Sequence, residues 1–275
     1  MPELPEVETV VRGLKKSVAG ETITAISIKP TARVFPRPDE FSRKIKNASF
    51  ETFSRRGKNI LLGLSNGYTL WVHLKMTGHF YYLPKSTPTG KHDHVVLTLK
   101  NNDHSLRFND YRRFGYLKLF PTSTLHNQKG LAELGPEPLT FPCDEFVALC
   151  KSKHRMLKPA LLDQTFIAGI GNIYADESLY LSRLHPMRLT DSVSNKKLAE
   201  LHGHIQSLLK SSIKLMGTSV DTFAGVNGQP GKFQNYLKVY GRENKPCERC
   251  GKSLTRQKIG SRSAHFCPKC QRNSR

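Results

Sequence analysis

The chain has 275 residues, of which 43 are Lys or Arg and 22 are Asp or Glu, so its formal net charge is +21. This length allows a real hydrophobic core and predicts two domains. A positive surplus this large indicates a polyanionic partner, because basic side chains neutralise phosphates and release counterions. The basic residues are spread along the chain, which favours a charged groove over a disordered basic arm.

The sequence also excludes membrane insertion and predicts the compartment. No run approaches the roughly 18 apolar residues of a membrane span, and no signal-peptide core follows Met1. We therefore expect a cytoplasmic protein whose cysteines stay reduced.

The first predicted element is a helix after Met1-Pro2-Glu3-Leu4-Pro5-Glu6. Acidic residues in its first turns and basic residues near its end complement the helix dipole. Apolar side chains recur at helical spacing and predict one buried face: Val7, Val10, Val11, Leu14 and Val18. One interpretation is a well-capped amphipathic helix that merely starts the protein.

A second interpretation is chemical. Removal of Met1 before the small residue Pro2 would leave a free secondary amine, and an α-amino group has a pKa of roughly 7.7–8.0. The neutral fraction is a nucleophile towards carbonyl-like carbons. Because the iminium adduct of a secondary amine has no N–H to lose, it stays cationic and remains an electron sink for elimination.

Residues 20–120 predict a β-sandwich with the N-terminal helix lying against it. The strongest hairpin signal is Asn66-Gly67, which separates apolar runs at 59–64 and 68–74. Further short strands are predicted at 23–28, 79–83, 94–99, 105–109 and 114–120, and a minor helix at 39–45. The expected first domain is therefore residues 1–120.

The remainder predicts an α+β protein with a helical second part. Residues 121–140, rich in Pro, Thr, Gly and Leu, are predicted to be a linker. Helical periodicity follows at 145–151, 157–162, 173–184 and 196–216, within a predicted domain of residues 141–240. Its loop at 217–231 is long and polar enough for a mobile lid, although a plain surface loop fits its individual residues too. A cysteine-rich module is expected at 241–275.

The strongest motif is Cys247-x2-Cys250-x16-Cys267-x2-Cys270. Its spacing is typical of a four-cysteine zinc site, and four thiolates give the closed shell of one structural zinc. Cys143 and Cys150 have no such partners and are interpreted as ordinary thiols. The module is strongly basic, with Arg249, Lys252, Arg256, Lys258, Arg262, Lys269 and Arg272 within it or just beyond it.

Several motifs together resemble the bacterial formamidopyrimidine-DNA glycosylase (Fpg/Nei) family, purine-lesion branch. Met-Pro-Glu-Leu-Pro-Glu-Val-Glu-Thr-Val resembles its N-terminal signature. Leu157-Lys158-Pro159, Gly169-Ile170-Gly171-Asn172-Ile173 and Tyr174-Ala175-Asp176-Glu177 resemble its helix–two-turn–helix. Taken alone, the glycine turn is a weak signal, since such turns commonly join two helices. The resemblance covers essentially the whole chain.

This resemblance implies specific roles. The catalytic residues would be Pro2, Glu3, Glu6 and Lys58: Pro2 as nucleophile, Glu3 as general acid and base, Glu6 as support, and Lys58 on a backbone phosphate. DNA contacts would come from His92, Arg112, Lys158, Asn172 and Arg262. Met76, Arg112 and Phe114 would fill the duplex where the damaged nucleotide leaves, although the pattern alone makes Met76 and Phe114 core residues. The lid would comprise Thr218, Ser219, Val220, Asp221, Thr222 and Phe223.

The implied activity is base excision repair. The family removes oxidised purines, chiefly 8-oxoguanine and formamidopyrimidines, from duplex DNA, and then cleaves the abasic strand by β- and δ-elimination. Zinc would take no part in that chemistry, and the resemblance implies a bacterial, nucleoid-associated monomer. Two alternatives remain at this point: an endonuclease VIII-like glycosylase for oxidised pyrimidines, and a non-catalytic zinc-ribbon DNA-binding protein. The second does not account for an ordered N-terminal Pro-Glu pair.

Overall fold

The structure is a computed structural model that describes residues 1–100, 102–220 and 223–273. It divides into two compact units: residues 1–132 with 215–232, and residues 133–214 with 233–275. In the part of the chain that is described, no helix is long and apolar enough to cross a membrane.

The N-terminal helix, α1 (Leu4–Val18), confirms the amphipathic pattern. All five apolar residues that the spacing predicted to share a face are buried. Lys15 and Lys16 stand in the last turn, where they complement the negative end of the dipole. The helix packs on the sheet of the first unit through β3 (Phe50–Arg56) and β4 (Asn59–Leu64).

The first unit contains two sheets. A four-stranded antiparallel sheet has the order β1-β7-β8-β6, with bounds Ile23–Ile28, Asp93–Leu99, His104–Asp110 and Gly78–Pro84. A five-stranded sheet has the order β2-β9-β5-β4-β3, in which β2 is Val34–Phe35, β5 is Tyr68–His73 and β9 is Tyr116–Pro121. The predicted hairpin joins β4 to β5, and Gly67 supplies the positive φ of 78° that its turn requires.

The core of this unit lies between the two sheets and α1, which confirms the β-sandwich. Both sheets contribute alternating side chains, as a half-buried strand does. The five-stranded sheet supplies Ile60, Leu62, Leu70, Val72, Leu117 and Leu119, and the other sheet supplies Phe80, Val95, Leu97, Leu106 and Phe108. A short helix, α2 (Pro38–Ile45), adds Phe41 and Ile45 to the same core.

The second unit is helical and ends in a β-hairpin, so the fold class is α+β as predicted. Its helices are α3 (Cys143–Lys151), α4 (Leu157–Leu162), α5 (Asn172–Leu181) and α6 (Asn195–Lys214). The long α6 packs against α3 and α5. The strands β10 (Thr255–Ile259) and β11 (Arg262–Phe266) pair in antiparallel register across Gly260-Ser261.

Two segments differ from the predicted organisation. Thr122–Asn127, inside the predicted linker, forms a 3₁₀ helix. The chain over 215–232, predicted to be part of the helical domain, belongs to the first compact unit instead. The physical reason is local, because Phe223 and Val226 are buried in the sandwich core. The exact domain boundaries stay a prediction.

Candidate functional site

The start of α1 holds Pro2 and Glu3, which are both buried behind the exposed side chain of Met1. The backbone N–H of Glu3 donates a hydrogen bond to Glu6 Oε2 at 2.9 Å, and the two glutamates form a capping box. This bond fixes the backbone immediately after Pro2. The Pro2 nitrogen and the Glu3 carboxylate therefore occupy defined positions at the positive end of the helix dipole.

Glu6 ties the helix start to the chain around residue 218. It is 2% exposed, and its Oε1 accepts a hydrogen bond from the backbone N–H of Thr218 at 2.7 Å. Gly217 permits this approach, because a Cβ there would lie 2.8 Å from Glu6 Oε1. A buried carboxylate needs such donors in place of water. One carboxylate thus holds both the Glu3 backbone and the beginning of the 217–231 segment.

The 217–231 segment, the predicted lid, is anchored at both ends. The N–H of Lys232 donates to Leu215 O at 2.8 Å and closes the base of the loop. Ser219 Oγ donates to Phe223 O at 2.6 Å and accepts from the N–H of Gly231 at 2.8 Å. These bonds join the two ends of the segment to each other.

The predicted lid residues have different environments. Thr218 is buried, Phe223 is 9% exposed within the core, and Val220 is 47% exposed. Asp221 and Thr222 lie outside the described residues. Among the described residues of the predicted lid, Val220 is thus the most exposed, and the role of the lid stays a prediction.

Lys58 lies in the turn between β3 and β4, where Gly57 has a φ of 56°. Arg55 ties this turn to α1, because its Nη1 donates to Gly57 O at 2.8 Å and its Nε lies 3.2 Å from Glu8 Oε2. Lys58 is 6% exposed. The turn and the start of α1 are thus joined by a direct ion pair within one unit.

The loop that presents Met76 is shaped by a neutral histidine. Burial, together with the ammonium groups of Lys75 and Lys58, lowers the pKa of His73 to about 3. Its unprotonated Nδ1 can therefore accept a hydrogen bond from the backbone N–H of Lys75 at 2.9 Å. Met76 follows directly and is 39% exposed, so it is a surface residue and not the core residue that the pattern alone indicates.

A buried carboxylate joins the Met76 loop to the loop of residues 110–116. Asp110 is 1% exposed. Its Oδ1 accepts a short hydrogen bond from the hydroxyl of Thr77, and its Oδ2 accepts the N–H of Gly115 at 2.7 Å. Because Thr77 is adjacent to Met76 in the chain, the two loops cannot move independently without breaking these bonds.

Arg112 and Phe114 project from the second of these loops. Phe114 is 45% exposed, and the guanidinium of Arg112 lies 5.0 Å from its ring centroid. The backbone oxygen of His92 accepts the N–H of Asp110 at 3.0 Å. Apart from Lys58, the residues of this unit that are predicted to contact or enter a duplex thus lie on adjoining loops. They are Met76, His92, Arg112 and Phe114.

The role of Asp110 is testable by an isosteric change. In Asp110→Asn, one carboxylate oxygen becomes an amide N–H₂ group. This group would face either the Thr77 hydroxyl or the Gly115 N–H, which both donate to the carboxylate. We expect the free energy of unfolding to fall by about 1–3 kcal/mol, the cost of an unsatisfied buried group. Urea denaturation measures this. The matched control is Asp103→Asn, since Asp103 is exposed, and an equal loss in both variants would contradict the assignment.

Two further predicted residues lie in the second unit. Asn172 is the first residue of α5, after Gly171, and its buried Oδ1 has no hydrogen-bond partner among the described residues. The first turn of a helix offers unpaired N–H groups to an anion. Arg262 is exposed and begins β11 next to the hairpin turn. Both positions are compatible with contacts to phosphates.

Lys158 is enclosed by protein atoms. It is 0% exposed, and its Nζ donates to Asp176 Oδ1 and to Ser263 O, each at 2.5 Å. Asp176 Oδ2 also accepts the backbone N–H of His265 at 2.9 Å. These bonds tie α4, α5 and β11 together, and a contact of Lys158 with a phosphate stays a prediction.

The four predicted zinc ligands form one cluster. The Sγ atoms of Cys247, Cys250, Cys267 and Cys270 lie within 4.8 Å of one another. Two of the separations are 4.0 Å and 3.5 Å, and a zinc tetrahedron with Zn–S bonds of about 2.3 Å has edges of about 3.8 Å. The N–H of Cys270 also donates to Cys267 Sγ at 3.4 Å, as in the outer shell of such sites. The geometry fits one structural zinc.

Loss of one ligand should remove the metal. We expect Cys267→Ser to bind far less than one zinc per chain and to lose the order of the β10–β11 hairpin, because structural zinc contributes folding energy directly. Elemental analysis and limited proteolysis check this. Cys143→Ser, outside the cluster, should keep its zinc. Full zinc content in Cys267→Ser would exclude the assignment.

Sequence reasoning missed the residues that hold these elements in place. Glu177 is 1% exposed, and its carboxylate accepts the backbone N–H groups of Lys238, Val239 and Tyr240 at 2.8–3.0 Å. Asp110 was likewise not singled out. One feature of the sequence could have indicated Glu177. The pair Asp176-Glu177 interrupts a helix that is otherwise mostly apolar, and carboxylates buried there need hydrogen-bond donors as partners.

Three models of known protein families match successive parts of the chain. Residues 1–117 match the formamidopyrimidine-DNA glycosylase N-terminal domain, residues 134–224 match the formamidopyrimidine-DNA glycosylase H2TH domain, and residues 244–273 match a zinc finger found in FPG and IleRS. The last match and the cysteine cluster together assign one structural zinc.

Individual relatives match over nearly their whole length. The formamidopyrimidine-DNA glycosylase of Pelotomaculum thermopropionicum is 44% identical, with 99% of each chain covered. Two crystal structures of Lactococcus lactis Fpg are 34% identical, with 99% of this chain and 100% of theirs covered. One holds N7-benzyl-Fapy-dG DNA and has a TM-score of 0.93, and the other holds DNA with an oxidised pyrimidine and has a TM-score of 0.92. The chain therefore belongs to the formamidopyrimidine-DNA glycosylase family of DNA-repair enzymes.

Proposed function

We propose that this protein is a bifunctional DNA glycosylase and abasic-site lyase that excises oxidised purines, 8-oxoguanine and formamidopyrimidines, from duplex DNA. The observation that carries the proposal is the buried Pro2-Glu3 pair at the start of α1, held by Glu6. A plain N-terminal helix does not require two buried glutamates beside its first residues. The family membership and the net charge of +21 support DNA as the partner.

In the proposed first step, the amine of mature Pro2 attacks C1′ of the damaged nucleotide. The bond between C1′ and the base breaks, and the base leaves with the N–H proton that the Pro2 nitrogen gives up, which frees the nitrogen lone pair. The C1′–O4′ bond then opens as the nitrogen lone pair forms an iminium, and the ring oxygen takes a proton from Glu3. Glu3 lies directly after Pro2 in the chain, so its carboxyl group can assist proton transfer both at the departing base and at the ring oxygen.

The second step uses the iminium as an electron sink. A base removes a proton from C2′, the electron pair forms a carbon–carbon double bond, and the C3′–O bond breaks with release of the phosphate. Loss of a second proton from C4′ releases the phosphate at C5′. Water then hydrolyses the iminium and frees Pro2. Because the adduct of a secondary amine carries no N–H, the iminium cannot lose its charge by deprotonation at nitrogen.

The loops around Asp110 support a role in base eversion. A duplex hides its bases, so the enzyme must extrude the target nucleotide and fill the space it leaves. Met76 and Phe114 are exposed apolar side chains on linked loops, which suits wedges between base steps. Arg112, beside Phe114, can hydrogen-bond the partner base left behind. Lys58 would contact a phosphate that docks on its turn.

Binding should depend strongly on salt. Arg262 is exposed at the hairpin turn, and its removal should reduce the slope of log K against log salt by about 0.9, the contribution of one phosphate contact. Fluorescence anisotropy with a lesion duplex at several salt concentrations measures this slope for Arg262→Ala. A slope equal to that of the unchanged protein would contradict the phosphate role.

Oxidised pyrimidines are the second candidate substrate class, because one of the similar Lactococcus lactis structures holds such DNA. The decisive experiment is base release under single-turnover conditions from 8-oxoguanine and thymine glycol duplexes. Faster release of 8-oxoguanine supports the proposal, and faster release of thymine glycol favours an endonuclease VIII-like enzyme. Release of neither base, together with no cleavage of abasic DNA, would leave only DNA binding and would overturn the proposed activity.

A further inference from the structure

A pocket of about 400 Å³ in the second unit lies beside the zinc ligands. Cys250 and Cys270 form part of its wall. The other lining residues are all basic: Arg183, Arg188, Arg249, Lys269 and Arg272. None of these residues has a role in the proposed reaction.

The five basic side chains of this pocket lack acidic partners. In the part of the chain that the structure describes, none of them forms an ion pair with an Asp or Glu and no acidic residue lines the pocket. Neighbouring basic residues of the same unit behave differently, since ion pairs to Glu243 or Glu248 are made by Lys238, Arg242 and Arg256. The pocket therefore concentrates positive charge that the chain leaves uncompensated.

Two of the arginines are held in fixed orientations. Arg249 donates from Nη1 to Tyr180 O at 2.6 Å and from Nη2 to Leu181 O at 3.2 Å, and its guanidinium lies 4.3 Å from the Tyr180 ring centroid. Arg188 donates from Nη2 to Ser192 O at 3.3 Å, and its Nε–H is buried without a partner among the described residues. An orphaned, shielded donor in a cationic pocket is satisfied by an anion more readily than by water.

The zinc centre accounts for only part of this charge. Four thiolates around one Zn²⁺ carry a formal charge of about −2, so about three of the five positive charges remain unbalanced. Structural compensation of the thiolates alone would need fewer basic residues. The surplus indicates an external anion.

We propose that this pocket binds a phosphate group and is an anion site separate from Arg262. Guanidinium groups match phosphate oxygens in bidentate geometry. At about 3.4 Å per residue, Arg262 lies roughly 17 Å along β11 from Cys267, whose Sγ is 3.5 Å from that of Cys250 in the pocket wall. The phosphate can come from a free phosphate or pyrophosphate or from the backbone of a nucleic acid, and one experiment with two arms distinguishes these sources.

The first arm is calorimetric titration of the zinc-loaded, full-length protein with pyrophosphate. Arg272→Glu should weaken binding by about tenfold or more, the expected loss for one charge-assisted contact. Lys210→Glu is the matched control, because Lys210 is exposed on α6 and changes the net charge equally. Zinc content and circular dichroism verify folding. If Arg272→Glu loses zinc, Arg183→Ala, which alters an exposed residue outside the finger, carries the test.

The second arm measures the salt slope of binding to undamaged duplexes of about 12 and about 30 base pairs. If DNA phosphates occupy the pocket, Arg272→Glu lowers the slope by about 0.9 or more on the longer duplex, whereas Lys210→Glu does not. If free phosphate is the ligand, pyrophosphate binding weakens and both slopes stay unchanged. No pyrophosphate binding together with unchanged slopes, or equal effects of Arg272→Glu and Lys210→Glu, would overturn the proposal.

Discussion

A chain that retains Met1 should lose both base release and strand cleavage by about 10⁴-fold or more while keeping its fold. Met1 converts the Pro2 nitrogen into an amide, which has no lone pair available for attack on C1′. Loss of a covalent nucleophile costs on the order of 10⁶ in other hydrolases. The fold should persist because the Met1 side chain is 42% exposed and is not part of the core.

The comparison uses two preparations of one sequence, with Met1 removed or blocked from removal, and single-turnover assays on 8-oxoguanine and abasic duplexes. Pro2→Gly with a processed terminus is the matched control, because it keeps an amine. It should keep some activity, but its imine must be protonated to act as an electron sink, so elimination should weaken most at high pH. Equal activity of the two preparations would show that the N-terminal amine is not the nucleophile.

Glu3→Gln should slow base release by roughly 10²–10⁴-fold, the usual contribution of one acid–base group. Glutamine keeps the shape of the side chain and an oxygen that can accept the N–H of Glu6, so the capping box and the helix start should survive. On a pre-formed abasic site the base is already absent, so this variant should retain more of its lyase activity. The ratio of the two losses is the informative quantity.

Glu8→Gln is the control for this prediction. It makes the same chemical change one turn later, on a carboxylate that pairs with Arg12 and Arg55, and it should affect both reactions only slightly. Parallel assays on lesion and abasic duplexes give the ratio for each variant. Equal losses on both substrates for Glu3→Gln would remove its proposed role in base release.

Local patterns predicted the elements whose stability is local. Spacing alone predicted the apolar face of α1 and the Asn66-Gly67 hairpin, because helix periodicity and turn geometry act over a few residues. It also predicted the zinc ligands, because each Cys-x2-Cys pair has the local spacing that tetrahedral ligation requires. The structure agrees with each of them. Family resemblance added the roles, which spacing does not contain.

Long-range contacts were not predictable in this way. Asp110 binds Thr77, which is 33 positions away, and Lys158 binds Ser263, which is 105 positions away. Whether a lysine faces solvent or a buried carboxylate depends on such contacts, and sequence spacing does not encode them. The ion pair of Lys158 with Asp176 is a contact of this kind, which the sequence did not predict. The contacts that group residues 215–232 with the first compact unit are also long-range.

In the proposed mechanism, Pro2 forms the covalent intermediate with DNA. Borohydride reduces an iminium to a stable amine, so it links enzyme to substrate at the atom that attacked. The most direct measurement is borohydride trapping of the processed protein on an 8-oxoguanine duplex, followed by mass spectrometric mapping of the linked residue. We predict a single link at the nitrogen of Pro2. A link at Lys58 or another lysine, while the Pro2 amine is free, would contradict the mechanism.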